Sequence, residues 1–172
     1  PADVTKKTQE RFMQHIDAAK ILGSKVTMGL MRGLGSQTTM DKDLKELAEA
    51  MKPIIEYADK KGVTICLEVE FIDNGLGNPD CVGILWDLFH ANIEDIGYER
   101  SIKIMGNKLK HIHLADSNRM FPGYGHTDIA AILKMVKNTG YSEYASFECF
   151  NLPSLETVLN ETGAWVQKMR EL

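Results

Sequence analysis

Four residues of this 172-residue chain carry side chains suited to holding one cation: Glu68, Asp87, His113 and Glu148. Each closes, or nearly closes, a short apolar run: VTICLE, VGILWD, LKHIHL and ASFE. Taken singly, a carboxylate in such a place is ordinarily solvated or ion-paired. Three carboxylates and one imidazole on successive runs are hard to explain that way. Three oxygen donors and one nitrogen suit Mn²⁺, Mg²⁺ or Co²⁺ better than a structural zinc, which prefers thiolates and imidazoles in a closed tetrahedron. A hard cation with open positions binds two adjacent oxygens of a hydroxy-ketone and stabilises the enediolate formed when the carbon between them loses its proton. Carboxylates on either side of that carbon can act as base and acid, which is what epimerisation requires.

The elements that must position these residues follow from periodicity. Phe12, Ile16, Ala19 and Leu22 recur at helical spacing over residues 5–22, and Gly23 follows as a stop. Residues 25–31 (KVTMGLM) read as a buried strand. A second helix is predicted over 41–61, with Leu44, Leu47, Ala48, Met51, Ile55 and Ala58 as its stripe, a kink at Pro53 and an end at Gly62. Strands are predicted over 63–69, 82–87, 109–114 and 145–150, with helices over 95–105, from Thr127 or Asp128 to Asn138, and from Ser154 onward with an interruption at Gly163. Short apolar strands alternating with helices predict a parallel sheet covered by helices, either a doubly wound sheet or a barrel. In a barrel the reactive side chains sit at the C-terminal ends of the strands, where all four candidates fall.

Bulk composition narrows the classes. A hydrophobic share of 44% is enough for one packed domain, and residues 1–172 are read as a single domain. A net charge of −4 with scattered basic residues argues against a nucleic-acid partner. Cys66, Cys81 and Cys149 match no disulfide or zinc framework, and no apolar run reaches membrane-spanning length, so a cytoplasmic protein is expected.

From WDLFHANIEDI through KHIHLADSNRMFPGYGHTD to YSEYASFE, the sequence resembles the sugar phosphate isomerase/epimerase family, the xylose isomerase-like TIM barrels. Within it, the motifs are nearest to the ketose 3-epimerases of the tagatose/psicose type. The resemblance implies an α/β fold, the (β/α)8 TIM barrel, with strands four to eight present in these residues. It implies a Mn²⁺-dependent isomerase or epimerase, with Mg²⁺ or Co²⁺ as alternatives, ligated by Glu68, Asp87, His113 and Glu148. Glu68 and Glu148 inherit the acid/base pair, while His90 and Arg119 match residues that hold substrate oxygens. A small sugar substrate and a homo-oligomer are also implied.

Blander roles are expected for several neighbours. His111 shares a strand face with His113 but is read as core, as are Trp86 and Cys66. His126 either shapes its loop or reaches the site, and Arg119 has Asp116 and Asp128 as alternative ion-pair partners. The match has two gaps: the family's first three strands have no counterpart, and LEVEFIDNGLGNPD is about one helix short of the family's path from Glu68 to Asp87. The expectation is that an N-terminal third and a loop lie outside these residues. Alternative functions on the same scaffold are a dehydratase of inosose or dehydroshikimate type, a hydroxypyruvate isomerase, and a non-catalytic sugar-binding module.

Overall fold

The computed structural model describes residues 2–29, 40–67 and 79–172. Within them the elements run α1 (Ala2–Ile21), β1 (Val26–Gly29), α2 (Met40–Lys61), β2 (Thr64–Leu67), β3 (Val82–Asp87), α3 (Leu88–Glu94), α4 (Tyr98–Met105), β4 (Leu109–Leu114), α5 (Ile129–Lys137), β5 (Tyr144–Phe147) and α6 (Leu155–Arg170). The hydrogen-bonded strand order is the chain order, β1-β2-β3-β4-β5. The β1–β2, β2–β3 and β4–β5 pairs are parallel. This is the strand arrangement of an α/β barrel, where a helix carries the chain back between parallel neighbours.

The chain divides into two compact units, Pro1–Leu85 and Trp86–Leu172. In the first, α1 and α2 cover one face of the strands. Their apolar stripes meet β2 and the start of β3 in a core of Ile16, Ala19, Met51, Ile54, Ala58, Val63, Ile65, Leu67, Cys81 and Val82. Both helices end where the sequence places glycine: Gly23 (φ 72) and Gly62 (φ 67) take the left-handed conformation that a side chain disfavours. α2 continues as one helix through Pro53, and Ile54 rather than Ile55 is its fully buried isoleucine.

In the second unit, β4 is buried along almost its whole length, and β5 is exposed except at Phe147. Phe147 stacks on Phe121 at 5.1 Å, and the Trp165 ring of α6 meets both edge-on. Two expectations are corrected here. A helix begins directly after β3, because Asp87 accepts the backbone N–H groups of Phe89 and His90 and so caps α3. The predicted 95–105 helix accordingly starts later, at Tyr98. Gly163 does not interrupt α6; Ser154 caps it and the helix runs unbroken to Arg170. Among the described residues no helix is long and apolar enough to cross a membrane.

Candidate metal centre

β3, β4 and β5 deliver Asp87, His113 and Glu148 to one place. One potential ligand atom from each lies within 4.8 Å of the other two. Asp87 is the last residue of β3, His113 the penultimate residue of β4, and Glu148 follows Phe147 at the end of β5. The Glu148 N–H donates to Leu114 O at 3.1 Å, so the ladder is still intact where the glutamate leaves it. Glu68, the fourth expected member, lies outside the described residues, as do Glu70 and Asp73.

The two oxygens of Asp87 divide their work. Oδ1 accepts the Phe89 N–H at 2.8 Å and the His90 N–H at 3.3 Å, fixing the start of α3. Oδ2 is buried and has no hydrogen-bond donor. Its nearest cationic neighbours are Arg119 Nη2 at 3.6 Å and His113 Nδ1 at 3.8 Å. A buried carboxylate oxygen without a donor is costly unless something else meets it. Metal–ligand distances of about 2.0–2.2 Å place ligand atoms roughly 3–4.4 Å apart around an ion, which this cluster nearly matches. The donor set and the orphaned oxygen therefore fit a divalent cation.

Arg119 closes the cluster. Its Nη2 donates to Glu148 Oε2 at 2.7 Å, and its Nη1 donates to His90 Nε2 at 3.2 Å. A guanidinium only donates, so His90 accepts there and carries its proton on Nδ1. The guanidinium also lies 4.9 Å from the centre of the Phe89 ring. Neither Asp116 nor Asp128 takes it as an ion-pair partner. His113 Nδ1 sits 2.9 Å from the same Glu148 oxygen.

These contacts separate the two carboxylates. Burial pushes Asp87 up, but His113, Glu148, the His90 N–H and Arg119 outweigh it and take the carboxyl down to about 2. Burial and the neighbouring Asp87 hold Glu148 above its ordinary value. Of the two carboxylates, Glu148 therefore holds a proton more readily than Asp87. Burial disfavours the His113 cation, yet contact with Asp87 and Glu148 raises its pKa.

The remaining candidates fall away from the cluster. His111 is buried beside His113, with Nε2 2.8 Å from Ser146 Oγ, and burial lowers its pKa. His126 is exposed, and its Nδ1 lies 2.9 Å from Ser117 Oγ, so it shapes the loop after β4. Trp86 is buried and its indole N–H donates to Asp95 Oδ2 at 3.0 Å. Cys66 is fully buried. Two contributors were missed from sequence: Phe89, under Arg119, and Asp116, which organises the loop carrying it. An aspartate ahead of a Gly- and Pro-rich segment is the usual signature of side-chain-to-backbone turns and was available for Asp116.

Residues 1–170 match the family model described as xylose isomerase-like TIM barrel. The chain belongs to that family. An L-ribulose 3-epimerase of Mesorhizobium japonicum is 30% identical over 161 residues, covering 83% of this chain and 54% of that protein. An inosose isomerase of Bacillus licheniformis is 26% identical over 172 residues, covering 82% of this chain and 59% of that protein. The crystal structure of D-allulose 3-epimerase from Methylomonas sp. in complex with D-allulose superposes with a TM-score of 0.72 at 25% identity, over 93% of this chain and 63% of that one. This chain thus spans little more than half the length of the curated relatives named.

Proposed function

We propose that the protein is a divalent-metal-dependent isomerase or epimerase of a small sugar, moving a proton at the carbon beside a ketose carbonyl. One observation carries this reading: Asp87, His113 and Glu148 converge from three strand ends around a buried Asp87 oxygen that no donor satisfies. The epimerase relative and the superposed sugar complex support it. Asp87, His113 and Glu148 would hold the ion, with Glu68 as the fourth ligand and Mn²⁺ as the preferred metal. When bound, such an ion supplies Lewis-acid stabilisation of the charge that develops on the substrate's carbonyl oxygen.

The protein residues then do the following work. Glu148, half-exposed at the end of β5, takes the proton from one face of the substrate carbon. Glu68 returns it from the other face, which inverts the centre. Arg119, held between His90 and Glu148, places a fixed positive charge beside the reacting oxygens. Asp87 stays ionised throughout and serves as a ligand only.

The test is solvent exchange. Mn²⁺-loaded protein is incubated with a panel of ketoses in D₂O, and substrate is read by mass and NMR. Deuterium at a single carbon, lost on Glu148→Gln, is the expected result. A fully metal-loaded protein that exchanges no ketose would count heavily against the reading. The inosose isomerase relative motivates a second reading, proton transfer on a cyclic polyhydroxy-ketone. Including inososes in the panel separates the two, and appearance of an ultraviolet-absorbing enone would mark a dehydratase instead.

A further inference from the structure

We propose that Asp116 is a positioning residue, whose carboxylate fixes the loop after β4 so that the Arg119 guanidinium is held against Glu148 and Asp87. The inference rests on the function proposed above only for what Arg119 meets in turnover; its placement is independent of it.

Asp116 is 1% exposed, just past the end of β4. Its Oδ1 accepts the N–H groups of Ser117 at 2.7 Å and Thr127 at 3.0 Å, and its Oδ2 accepts the Gly123 N–H at 2.8 Å. One side chain therefore ties both ends of the loop together. Its backbone does the same at short range, donating to Met120 O at 2.9 Å and accepting the Arg119 N–H at 2.8 Å. Arg119 itself sits at φ 58, a left-handed conformation that a residue with a Cβ adopts only when its surroundings impose it. The Phe150 N–H donates to Arg119 O at 2.7 Å and clamps the other side of the residue.

Two further observations show that the loop is built around this carboxylate. A Cβ at Gly125 would collide with the Asp116 carboxylate and with Ser117 Oγ, so only glycine permits the approach. The donors to Asp116 are all backbone N–H groups, and they arrive at both oxygens. An asparagine would turn an NH₂ toward at least one of them and lose that side of the clasp. What the clasp leaves projecting into the cluster is the Arg119 side chain, with Nη2 2.7 Å from Glu148 and 3.6 Å from Asp87.

The experiment reads Arg119 directly, without metal or turnover. In the ¹⁵N-labelled full chain, guanidinium protons are resolved only when rotation about the C–N bonds is hindered. The Arg119 signals, assigned by their loss in Arg119→Lys, are expected to be resolved, with exposed Arg100 and Arg170 as averaged references. In Asp116→Asn, and separately in Gly125→Ala, they should coalesce and exchange with water about tenfold faster or more. The Trp86 indole N–H, bonded to Asp95 elsewhere in the same unit, should not change. Arg119 signals that survive in both variants overturn the proposal, as does a Trp86 signal that loosens equally, which marks general destabilisation. If Asp116→Asn does not fold, Gly125→Ala carries the test. A wild type inactive on every ketose, with Arg119 still responding as described, defeats the proposed function and leaves the positioning role standing.

Discussion

Two clusters in this chain use nearly the same groups to opposite ends. In the Pro1–Leu85 unit, Asp17 accepts from Lys61 Nζ at 2.6 Å and from the Tyr57 hydroxyl at 2.9 Å, joining α1 to α2. In the Trp86–Leu172 unit, Asp87 and Glu148 meet His113 and Arg119. The first is a staple: every polar atom has a donor or acceptor, and the pair is 37% and 41% exposed. The second is buried at Asp87 and His113 and half-exposed at Glu148; it draws two donors to one Glu148 oxygen and leaves an Asp87 oxygen with none. The difference is in what has been left unsatisfied. A satisfied surface pair is finished; a buried carboxylate oxygen without a donor is a place for a ligand.

The sharpest break between the clusters should appear in metal binding. Asp87→Asn and Glu148→Gln are each expected to weaken Mn²⁺ binding by about 100-fold or more, measured by calorimetry or by the spin-resonance signal of free Mn²⁺. Asp17→Asn should leave it unchanged. Equal losses in all three would mean that the ion responds to general acidity and not to this site. The next effect in size is linkage. At a hundred times its Kd, Mn²⁺ should stabilise the folded protein by about 2.7 kcal/mol, visible as a raised Tm that EDTA reverses. Asp87→Asn should show no such rise.

A smaller effect separates the two duties of Asp87. Asparagine is as good a helix cap as aspartate, so Asp87→Asn should keep α3 while losing the metal. Asp87→Ala loses both, and should cost about 1 kcal/mol more in denaturant unfolding. Equal stabilities for the two variants would show that Oδ1 contributes nothing to α3.

What could be read in advance follows the same division. The alternation of strands and helices, most of the helical stripes of α1 and α2, and the Ser154 cap were legible because they depend on periodicity and local chemistry. Leu22, read as part of the α1 stripe, is instead exposed, because it lies past the end of the helix. Asp87, His113 and Glu148 could be picked out because each ends an apolar run, and the parallel sheet brings such ends together. α3 was missed because its start depends on Asp87 acting as a cap while also belonging to a strand, and LFHAN alone is a weak helix former. The partner of Arg119 was also out of reach. Asp116 and Asp128 are nearer in sequence, but the left-handed turn at Arg119 and the clasp beneath it aim the side chain at Glu148, a residue that arrives from the next strand.

The smallest expected effect tests the finished cluster against a buried carboxylate in acid. Asp17 is held below its usual value by hydrogen bonds from Lys61 and Tyr57. Burial would raise Asp116, but the N–H groups of Thr127, Gly123, Ser117 and Gly125 hold it down. Both contributions are therefore fully present above the unfolded value of 3.8 and are lost as pH falls through the depressed folded value. Lys61 has the opposite sign: it is raised by Asp17 and Tyr57, so its contribution is present below 10.5 and fades as pH rises past its folded value. The two aspartates differ in what salt does to them. At about 1 M salt the screening length is about 3 Å, which weakens the exposed Asp17–Lys61 attraction. The hydrogen bonds to Asp116 are buried and are not screened in this way. Unfolding followed from about pH 5 to pH 2 should show the acid limbs of wild type and Asp17→Asn converging as salt is added. Asp116→Asn should stay separated from wild type at every salt concentration. An Asp17 difference that persists in high salt would place that pair with the buried groups and erase the contrast between the clusters.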